Sequence, residues 1–387
     1  MQNRMWGMIV MLIVSTGIAS AKEITIGGQI RPRAEFLDPV GGGYDTFTSM
    51  RIRAHINATL DKNVDAFIQF QDVRLWGEET NTLSDFNANN FDLHQGYVTL
   101  NTINNSPISI RAGRQAISLG GQRLIGAVEW TQQGRSFDGL RVMLKPQWGS
   151  VDILGIRLSD ATATGITNNA YHSSIYATTK SGIDLYGIYN RVATSTNQYT
   201  LGVRWVNTLQ AMPLRLEGSY QTGERGGTDV SAFMFGGRIA FPLGKSTLTL
   251  WYDYLSGDDN PTDSKLKVFD TLFATNHKFY GFADLFLNIP VHTGGLGLQD
   301  MAIKFSAPLN NGIKLGLDAH AFFLAKQGTA SGKHLGEEID LTLTYKYSNE
   351  VTFVGGASYV IAKQALADIG RLNDDLKAAY FMTNVAF

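Results

Sequence analysis

The chain has 387 residues, no cysteine and a formal net charge of −1 at neutral pH. The lack of cysteine excludes disulfides and thiol nucleophiles, and the near-neutral charge gives no reason to expect a nucleic-acid partner. With 41 glycines, 15 tyrosines, 21 phenylalanines and only 9 prolines, the composition favours many strands and tight turns over a helical fold.

Residues 1–21 have the pattern of a secretory signal peptide. Arg4 precedes an apolar run over 6–18, and three small residues follow at 19–21, so cleavage is expected after Ala21. A retained membrane anchor is the alternative, but a run of about 13 residues is shorter than the roughly 20 that a spanning helix needs. Because no linker or charge block divides the rest, we expect one exported domain over 22–387.

The remainder of the sequence alternates between apolar and polar residues in short segments, as strands do. Eighteen strands are predicted, and an even number is typical of single-chain bacterial barrels. The predicted ranges are 23–37, 47–62, 64–76, 91–103, 107–119, 137–146, 149–160, 171–180, 182–193, 198–209, 212–222, 230–241, 246–255, 300–309, 312–325, 336–347, 349–362 and 376–387.

The segment 50–60 shows the alternation clearly. Ile52 and Ile56 fall on a wholly apolar face, while Arg51 and Arg53 fall on a wholly polar one. Such strands fit either a secreted antiparallel sandwich, for example a lectin, or an outer-membrane barrel with a wet lumen.

Three further features favour the barrel. These are the export signal, a strand pattern that runs to Phe387, and aromatic residues near strand ends, where interfacial girdles lie. The aromatic residues are Trp76, Trp130, Trp148, Tyr171, Trp251, Tyr252, Tyr254, Tyr345 and Tyr347. The predicted fold class is all-β, a transmembrane antiparallel β-barrel of about 18 strands with long extracellular loops.

Connection lengths orient the predicted barrel. Short turns at 179–182, 241–246, 308–312 and 347–350 are expected on the periplasmic side. The longer segments 77–90, 120–136, 256–299 and 363–375 are expected to be extracellular or folded into the pore. About 18 strands enclose a lumen too wide for wall side chains to fill, so water fills it unless loops plug it.

The polar rows predict a basic lumen, with thirteen basic residues against four acidic ones. Rings of Arg and Lys favour anions, and guanidinium groups bind carboxylates in bidentate fashion. An alternative is that several of these residues pair with lumen acids and only keep the wall solvated. The basic residues are Arg31, Arg33, Arg51, Arg53, Arg111, Arg141, Arg157, Arg204, Arg215, Arg238, Lys304, Lys314 and Lys346, and the acidic ones are Glu35, Glu217, Asp318 and Asp340.

Two stretches, "GRQAISLGGQRLIGAVEWTQQGRSFDGLRV" (113–142) and "YDYLSGDDNPTDSKLKVFDTLFATNHKFYGFADLFLN" (252–288), resemble the alginate export family of outer-membrane porins. The resemblance implies a monomeric 18-stranded barrel whose arginine-rich constriction passes a polyanionic uronate polysaccharide. It also points to Arg114 and Arg141 as general family matches. Strict alternation from Arg111 places Arg114 outward, where lipid would penalise it, so either a bulge near Gly113 turns it inward or the strand has already left the membrane there.

The motif segments have two interpretations, a packed loop held by Arg–Asp pairs or a gate. An enzyme acting on lipid or polysaccharide is the alternative function, and Asn276, His277, Tyr280 and Asp284 are the only acid–base candidates that the sequence offers for it. We expect no enzyme and no cofactor. Asp258, Asp259 and Asp263 are weak Ca²⁺ candidates, because the segment lacks EF-hand spacing. The sequence therefore predicts a passive channel for anionic solutes, in contact with outer-membrane lipid.

Overall fold

The computed structural model describes residues 21–39, 43–77, 91–160, 169–192, 195–260 and 262–387. The expected signal peptide lies outside the described residues except for Ala21, as does most of the long connection predicted over 77–90. No helix in the described ranges is long and apolar enough to cross a membrane.

Eighteen long strands and one two-residue strand make up the described sheet. The strands are β1 (Glu23–Pro39), β2 (Asp45–Asp61), β3 (Val64–Leu75), β4 (Phe91–Leu100), β5 (Ile108–Gln115), β6 (Phe137–Leu144), β7 (Gly149–Ser159), β8 (Ala170–Thr179), β9 (Ile183–Val192), β10 (Thr196–Leu209), β11 (Met212–Arg225), β12 (Thr228–Leu243), β13 (Ser246–Leu255), β14 (Lys265–Leu266), β15 (Leu298–Pro308), β16 (Ile313–Leu324), β17 (His334–Lys346), β18 (Val351–Ala362) and β19 (Leu376–Ala386). Helices are short, α1 (Ile289–His292) and α2 (Gln364–Asp368), with 3-10 turns at Ile103–Asn105, Asn276–Lys278 and Asn310–Gly312.

The sheet closes on itself. Each long strand pairs antiparallel with its sequence neighbour, and β13 pairs directly with β15 because β14 lies aside as a parallel partner of β12. β1 pairs with both β2 and β19, and Gly28 and Phe387 exchange backbone hydrogen bonds of 2.8 and 3.1 Å across this seam. Closure leaves no long strand with a free edge in the described sheet.

Exposure shows which face is inside. In β2, Arg51 and Arg53 are 1% and 6% exposed, whereas Ile52 and Ile56 are 38% and 42% exposed. A water-soluble sandwich would bury the isoleucines and expose the arginines. The reverse arrangement is that of a barrel whose outer face meets lipid and whose inner face is polar, so the predicted fold class is confirmed.

All eighteen predicted strands are present, and the differences lie at their ends. The prediction carried the fifth strand to residue 119, but β5 ends at Gln115. The alternation continues after Gln115 because Ile117 and Leu119 pack inside the barrel, where both are buried, and not because they pair with a neighbouring strand. The short β14 was not predicted.

The two ends of the barrel differ as expected. Tight connections such as 180–182, 210–211, 244–245 and 347–350 lie at the end of the barrel where β1 begins and β19 ends. That end is periplasmic, since outer-membrane barrels have short periplasmic turns. Two of the long connections fold into the lumen, residues 116–136 (loop A) and residues 256–297 (loop B). Most residues of the buried apolar cluster come from these two loops and from the inner wall.

The outer face provides a test of the membrane placement. Val203 and Leu209 both point outward from β10 and are 46% and 44% exposed, but Val203 lies mid-strand and Leu209 at the strand end. Val203→Arg is expected to lower the unfolding free energy by about 2–4 kcal/mol and Leu209→Arg by about 0–1 kcal/mol, since the cost depends on depth in the bilayer. Urea unfolding of vesicle-refolded protein measures both, and equal costs would contradict the placement.

Candidate functional site

Loop A is fixed to the wall by the arginines of β1 and β2. Arg31 donates to the carbonyl oxygens of Glu129 (2.6 Å) and Thr131 (2.8 Å), and Arg53 forms an ion pair with the Glu129 carboxylate at 2.8 Å. Burial raises the pKa of Glu129, but Arg53 and Arg51 outweigh it and hold that pKa below its usual value.

These contacts correct one part of the sequence interpretation. Arg31, Arg33, Arg51 and Arg53 do point inward, but each is at most 6% exposed because loop A covers it. They hold a loop in place and do not face open lumen water.

A second anchor of loop A is Arg123, which lies in the glycine-rich motif. Its guanidinium is almost fully buried and bonds both oxygens of Asp253, at 2.8 and 3.1 Å. It also donates to the Tyr280 hydroxyl at 3.0 Å and lies 3.5 Å from the Glu217 carboxylate. Wall and both loops therefore meet at one charged centre.

Loop B rests on two buried carboxyl groups of β17. Glu338 accepts a hydrogen bond from the backbone N–H of Ala283 at 2.7 Å, and Asp340 accepts one from Phe282 at 3.4 Å. Gly281 has φ +79°, and a Cβ there would collide with the Glu338 carboxylate. Glycine is required because the backbone must both turn and approach closely.

The two loops also bind each other. Trp130 of loop A stacks on His277 of loop B, with ring centroids 4.0 Å apart, and its indole N–H donates to Asp284 at 2.9 Å. His277 lies 2.6 Å from the other oxygen of Asp284, and the guanidinium of Arg33 covers the opposite side of the stack, 4.2 Å from the Trp130 ring. Together the loops form one packed insert in the lumen.

This packing separates the acid–base candidates. His277 and Asp284 belong to the tryptophan stack, whereas the Tyr280 hydroxyl belongs to the Arg123 centre. Asn276 donates to Thr271 and to the Leu287 carbonyl. The described geometry thus assigns each of these residues a role in holding the loops.

The inner wall on the opposite side of the barrel carries a different arrangement, a group of four cations called here the basic cluster. It consists of Arg204, Arg215 and Arg238 on β10–β12 and Lys278 of loop B. Arg215 and Arg238 are direct cross-strand partners and lie 4.6 and 5.3 Å from the ring of Trp251. Burial lowers the pKa of Lys278, and the charges of Arg238, Arg215 and Arg204 lower it further.

The basic cluster is short of carboxylates. Of its four members, only Arg204 forms an ion pair with a described residue. Arg204 lies 2.7 Å from the Asp184 carboxylate and 4.0 Å from the Glu217 carboxylate. Arg215 is 2% exposed, and its Nε and Nη2 have no hydrogen-bond partner in the described part of the chain. Arg238 and Lys278 are both open to lumen water. Unpaired guanidinium and ammonium donors attract anions.

Loop A borders the basic cluster through its glycine motif. A Cβ on Gly121 would lie 3.4 Å from Nη1 of Arg215 and 3.7 Å from Nε of Arg204. At the preceding position, Gly120 has φ +54° and packs against the Tyr176 hydroxyl. The motif therefore brings bare backbone next to the cations.

Total lumen charge is less basic than the polar rows indicated. Several carboxylates that were not counted in those polar rows also stand on the inner wall. They are Asp152, Asp184, Asp253, Asp300 and Glu338. The basic character is local to the basic cluster and is not a general excess.

Two predicted lumen arginines lie on the outer face. Arg114 pairs with Asp138 at 2.8 Å, and Arg157 pairs with Asp160 at 2.8 Å and packs on Tyr171. Pairing around Gly113 continues without a register shift, so no bulge turns Arg114 inward. The alternation rule was followed there, and including Arg114 and Arg157 among the pore-lining residues was wrong.

The remaining predicted residues point inward and are mostly paired. Arg111 bonds Thr99 at 3.0 Å, Arg141 bonds Asp152 at 2.6 Å and Lys304 pairs with Asp318 at 2.8 Å. Lys314 is exposed toward the periplasmic mouth.

The aromatic girdle prediction holds only in part. Trp76, Trp148 and Tyr347 are exposed near strand ends, but Trp251 is buried on the inner wall and Trp130 lies inside loop A.

The acidic segment of loop B is internally bonded. Asp263 pairs with Lys267 at 2.6 Å, Asp259 lies 3.5 Å from Lys326, and Asp258 accepts backbone hydrogen bonds from residues 260 and 267. Within the described ranges, no group of three or more His, Asp or Glu side chains is placed to hold a metal ion.

Lys278 and Trp251 are two further site residues that the sequence interpretation missed as lumen residues. Lys278 stands in a loop, where alternation carries no information. Trp251 shares its face with Asp253, and that spacing of two is the signal that would have placed it inside.

The barrel is similar to solved structures of bacterial proteins. OccD3 (OpdP) of Pseudomonas aeruginosa has a TM-score of 0.65 at 13% identity, covering 95% of this chain and 92% of that one. OccAB4 of Acinetobacter baumannii has a TM-score of 0.65 at 10% identity, with 95% and 98% covered. The outer membrane protein OprD of P. aeruginosa has a TM-score of 0.60 at 13% identity, with 95% of each chain covered. At such identities the likeness shows the fold.

No curated protein sequence matches the chain. A family profile described as alginate export matches residues 22–370, which is most of the chain and includes both loops and the basic cluster. The chain therefore belongs to the alginate export family, and it is a β-barrel channel of the bacterial outer membrane.

Proposed function

We propose that the channel passes anionic solutes and that the basic cluster gives it its preference for anions. The observation that carries this proposal is that Arg215, Arg238 and Lys278 have no carboxylate partner in the described part of the chain, and two of them are open to lumen water. The carboxylates of the neighbouring wall, Asp253 and Asp300, are fully buried and paired. A permeating ion therefore meets positive charge at this point.

The mechanism is electrostatic attraction in a narrow passage between loop A and the wall. Interactions between charges are stronger there than in bulk water, since the protein around them has a low dielectric constant. The open cations Arg238 and Lys278 stay hydrated, so each binds an anion weakly. Weak, adjacent sites let an anion leave as easily as it enters.

The family description makes a uronate polysaccharide such as alginate the second candidate solute. Its repeated carboxylates would step along the basic cluster. One chain closes a complete barrel and so encloses its own lumen, and we propose that the channel works as a monomer.

The combined variant Arg238→Gln with Lys278→Gln tests the assignment. We expect the reversal potential in a KCl gradient to move most of the way from the anion-selective value toward zero, because the two water-exposed cations are removed. Arg157→Gln is the matched control, since it removes one arginine charge from the outer face. If the double variant keeps the full anion preference, the basic cluster does not set selectivity.

A further inference from the structure

A cavity lies above the basic cluster, toward the extracellular end of the barrel. It has a volume of about 860 Å³ and is bounded by the upper parts of β9 and β10, the end of loop A and the middle of loop B. Such a volume is in the range of small-molecule sites. We refer to it as the vestibule.

The floor of the vestibule carries two amide side chains. Asn190 of β9 and Gln198 of β10 are cross-strand partners, and they are 5% and 1% exposed. The amide nitrogen of each has no hydrogen-bond partner among the described residues, although the Asn190 oxygen lies 2.8 Å from His172. An unmet buried donor is costly, and a ligand that supplies an acceptor oxygen removes that cost.

A cation lines the same cavity as the amides. Arg135 of loop A donates through Nη1 to the carbonyl oxygens of Gly126, Phe273 and Ala274, and has no carboxylate partner in the described ranges. The other arginine of the vestibule, Arg225, is paired with Asp270 at 3.1 Å. The lining of the vestibule thus combines two amide donors with one arginine that has no described carboxylate partner.

Most of the rest of the lining is apolar, although Thr196, Thr271 and Asn288 also contribute. Val192, Val268, Leu272 and Pro290 contribute, and Val192 is 46% exposed at a position that faces inward. A polyhydroxylated sugar would leave its hydroxyl groups unmet against these side chains, whereas an apolar ring or chain would be stabilised there.

We propose that the vestibule binds small organic monocarboxylates with a compact apolar body, with the carboxylate toward Asn190, Gln198 and Arg135. The binding site stands on these residues alone, while its role as an entry site for transport rests on the proposed function. It favours a solute class that differs from a uronate polymer, which carries hydroxyl groups throughout.

Block of single-channel current tests the proposal with sodium benzoate, sodium acetate and benzyl alcohol added to the extracellular side of the refolded full chain. Benzoate is expected to block at about tenfold lower concentration than acetate, which lacks the ring, and than benzyl alcohol, which lacks the charge. Gln198→Leu should raise the half-blocking concentration of benzoate about five- to tenfold, because an amide donor is replaced by an isosteric apolar group.

Gln69→Leu, a glutamine of the inner wall on β3, is the control for a general effect of losing an inner-wall amide and should leave benzoate block unchanged. Heat-modifiable migration confirms that each variant folds. Equal block by the three solutes, or by benzoate in Gln198→Leu and the parent protein, would overturn the proposal. The reversal potential of the same bilayers separates the two ideas: anion selectivity without preferential benzoate block rejects only the vestibule site, and preferential block without anion selectivity rejects only the proposed function.

Discussion

Replacing Arg123 with leucine is expected to lower the unfolding free energy by about 3–5 kcal/mol, because it leaves the buried carboxylates of Asp253 and Glu217 without their cation. The same change removes the anchor between loop A and the wall. We therefore expect a larger and noisier single-channel conductance in the molecules that still fold.

Urea unfolding in lipid vesicles measures the stability change. Arg114→Gln is the matched control, because its pair with Asp138 is exposed on the outer face and should contribute only about 0–1 kcal/mol. Arg123→Leu combined with Asp253→Leu should recover part of the loss, since one unpaired charge is gone. If Arg123→Leu is as mild as the control, the buried centre does not hold loop A.

The second large effect is expected from Gly281→Val. The backbone at Gly281 has a positive φ, and a side chain there would collide with the Glu338 carboxylate, so loop B must move off its support on β17. Because loop B fills much of an otherwise wide lumen, its displacement should raise conductance roughly twofold or more. The rise is measured on single channels in a planar bilayer.

Gly332→Val is the control for adding a β-branched side chain at a loop glycine, since no atom lies within 4 Å of a Cβ at that position. It should leave conductance unchanged. Unaltered conductance in Gly281→Val would show that loop B does not restrict the passage.

Alternation determined the wall of this barrel almost completely. In β2 the apolar row with Ile52 and the polar row with Arg51 fall on opposite faces, and lipid outside with water inside penalises any other register. The sequence could not decide between lipid and a protein core on the apolar side from periodicity alone. The export signal, the strand pattern that runs to Phe387 and the aromatic residues near strand ends made that decision, and the exposure of Ile52 agrees with it.

The site was less predictable because it depends on the loops. Arg51 and Arg215 occupy equivalent polar rows, yet loop A covers Arg51. Arg215 lies beside bare glycine backbone and has no carboxylate ion pair with any described residue. No local sequence pattern distinguishes an arginine that a loop covers from one that lies beside glycine backbone. Lys278 reaches the basic cluster only through the fold of loop B, a long-range arrangement that short-range periodicity does not encode.

Structural pairing also explains why a basic lumen was overestimated. Counting the polar rows treats every arginine as free, but Arg31, Arg33, Arg51 and Arg53 hold loop A, and Arg141 pairs with Asp152 on the wall. The proposed selectivity then depends on the few cations that have no carboxylate partner among the described residues. The glycine-rich motif of loop A therefore has two roles. Arg123 anchors the loop to the wall, and Gly121 places bare backbone beside the basic cluster.

Reversal potential of the refolded mature protein in a planar bilayer under a KCl gradient tests the central claim most directly. If the basic cluster selects anions, the reversal potential lies on the chloride side of zero, toward the chloride equilibrium potential. The current is then also reduced when an oligouronate or another carboxylate is added. A cation-selective or unselective current would contradict the assignment of the basic cluster as the element that selects the solute.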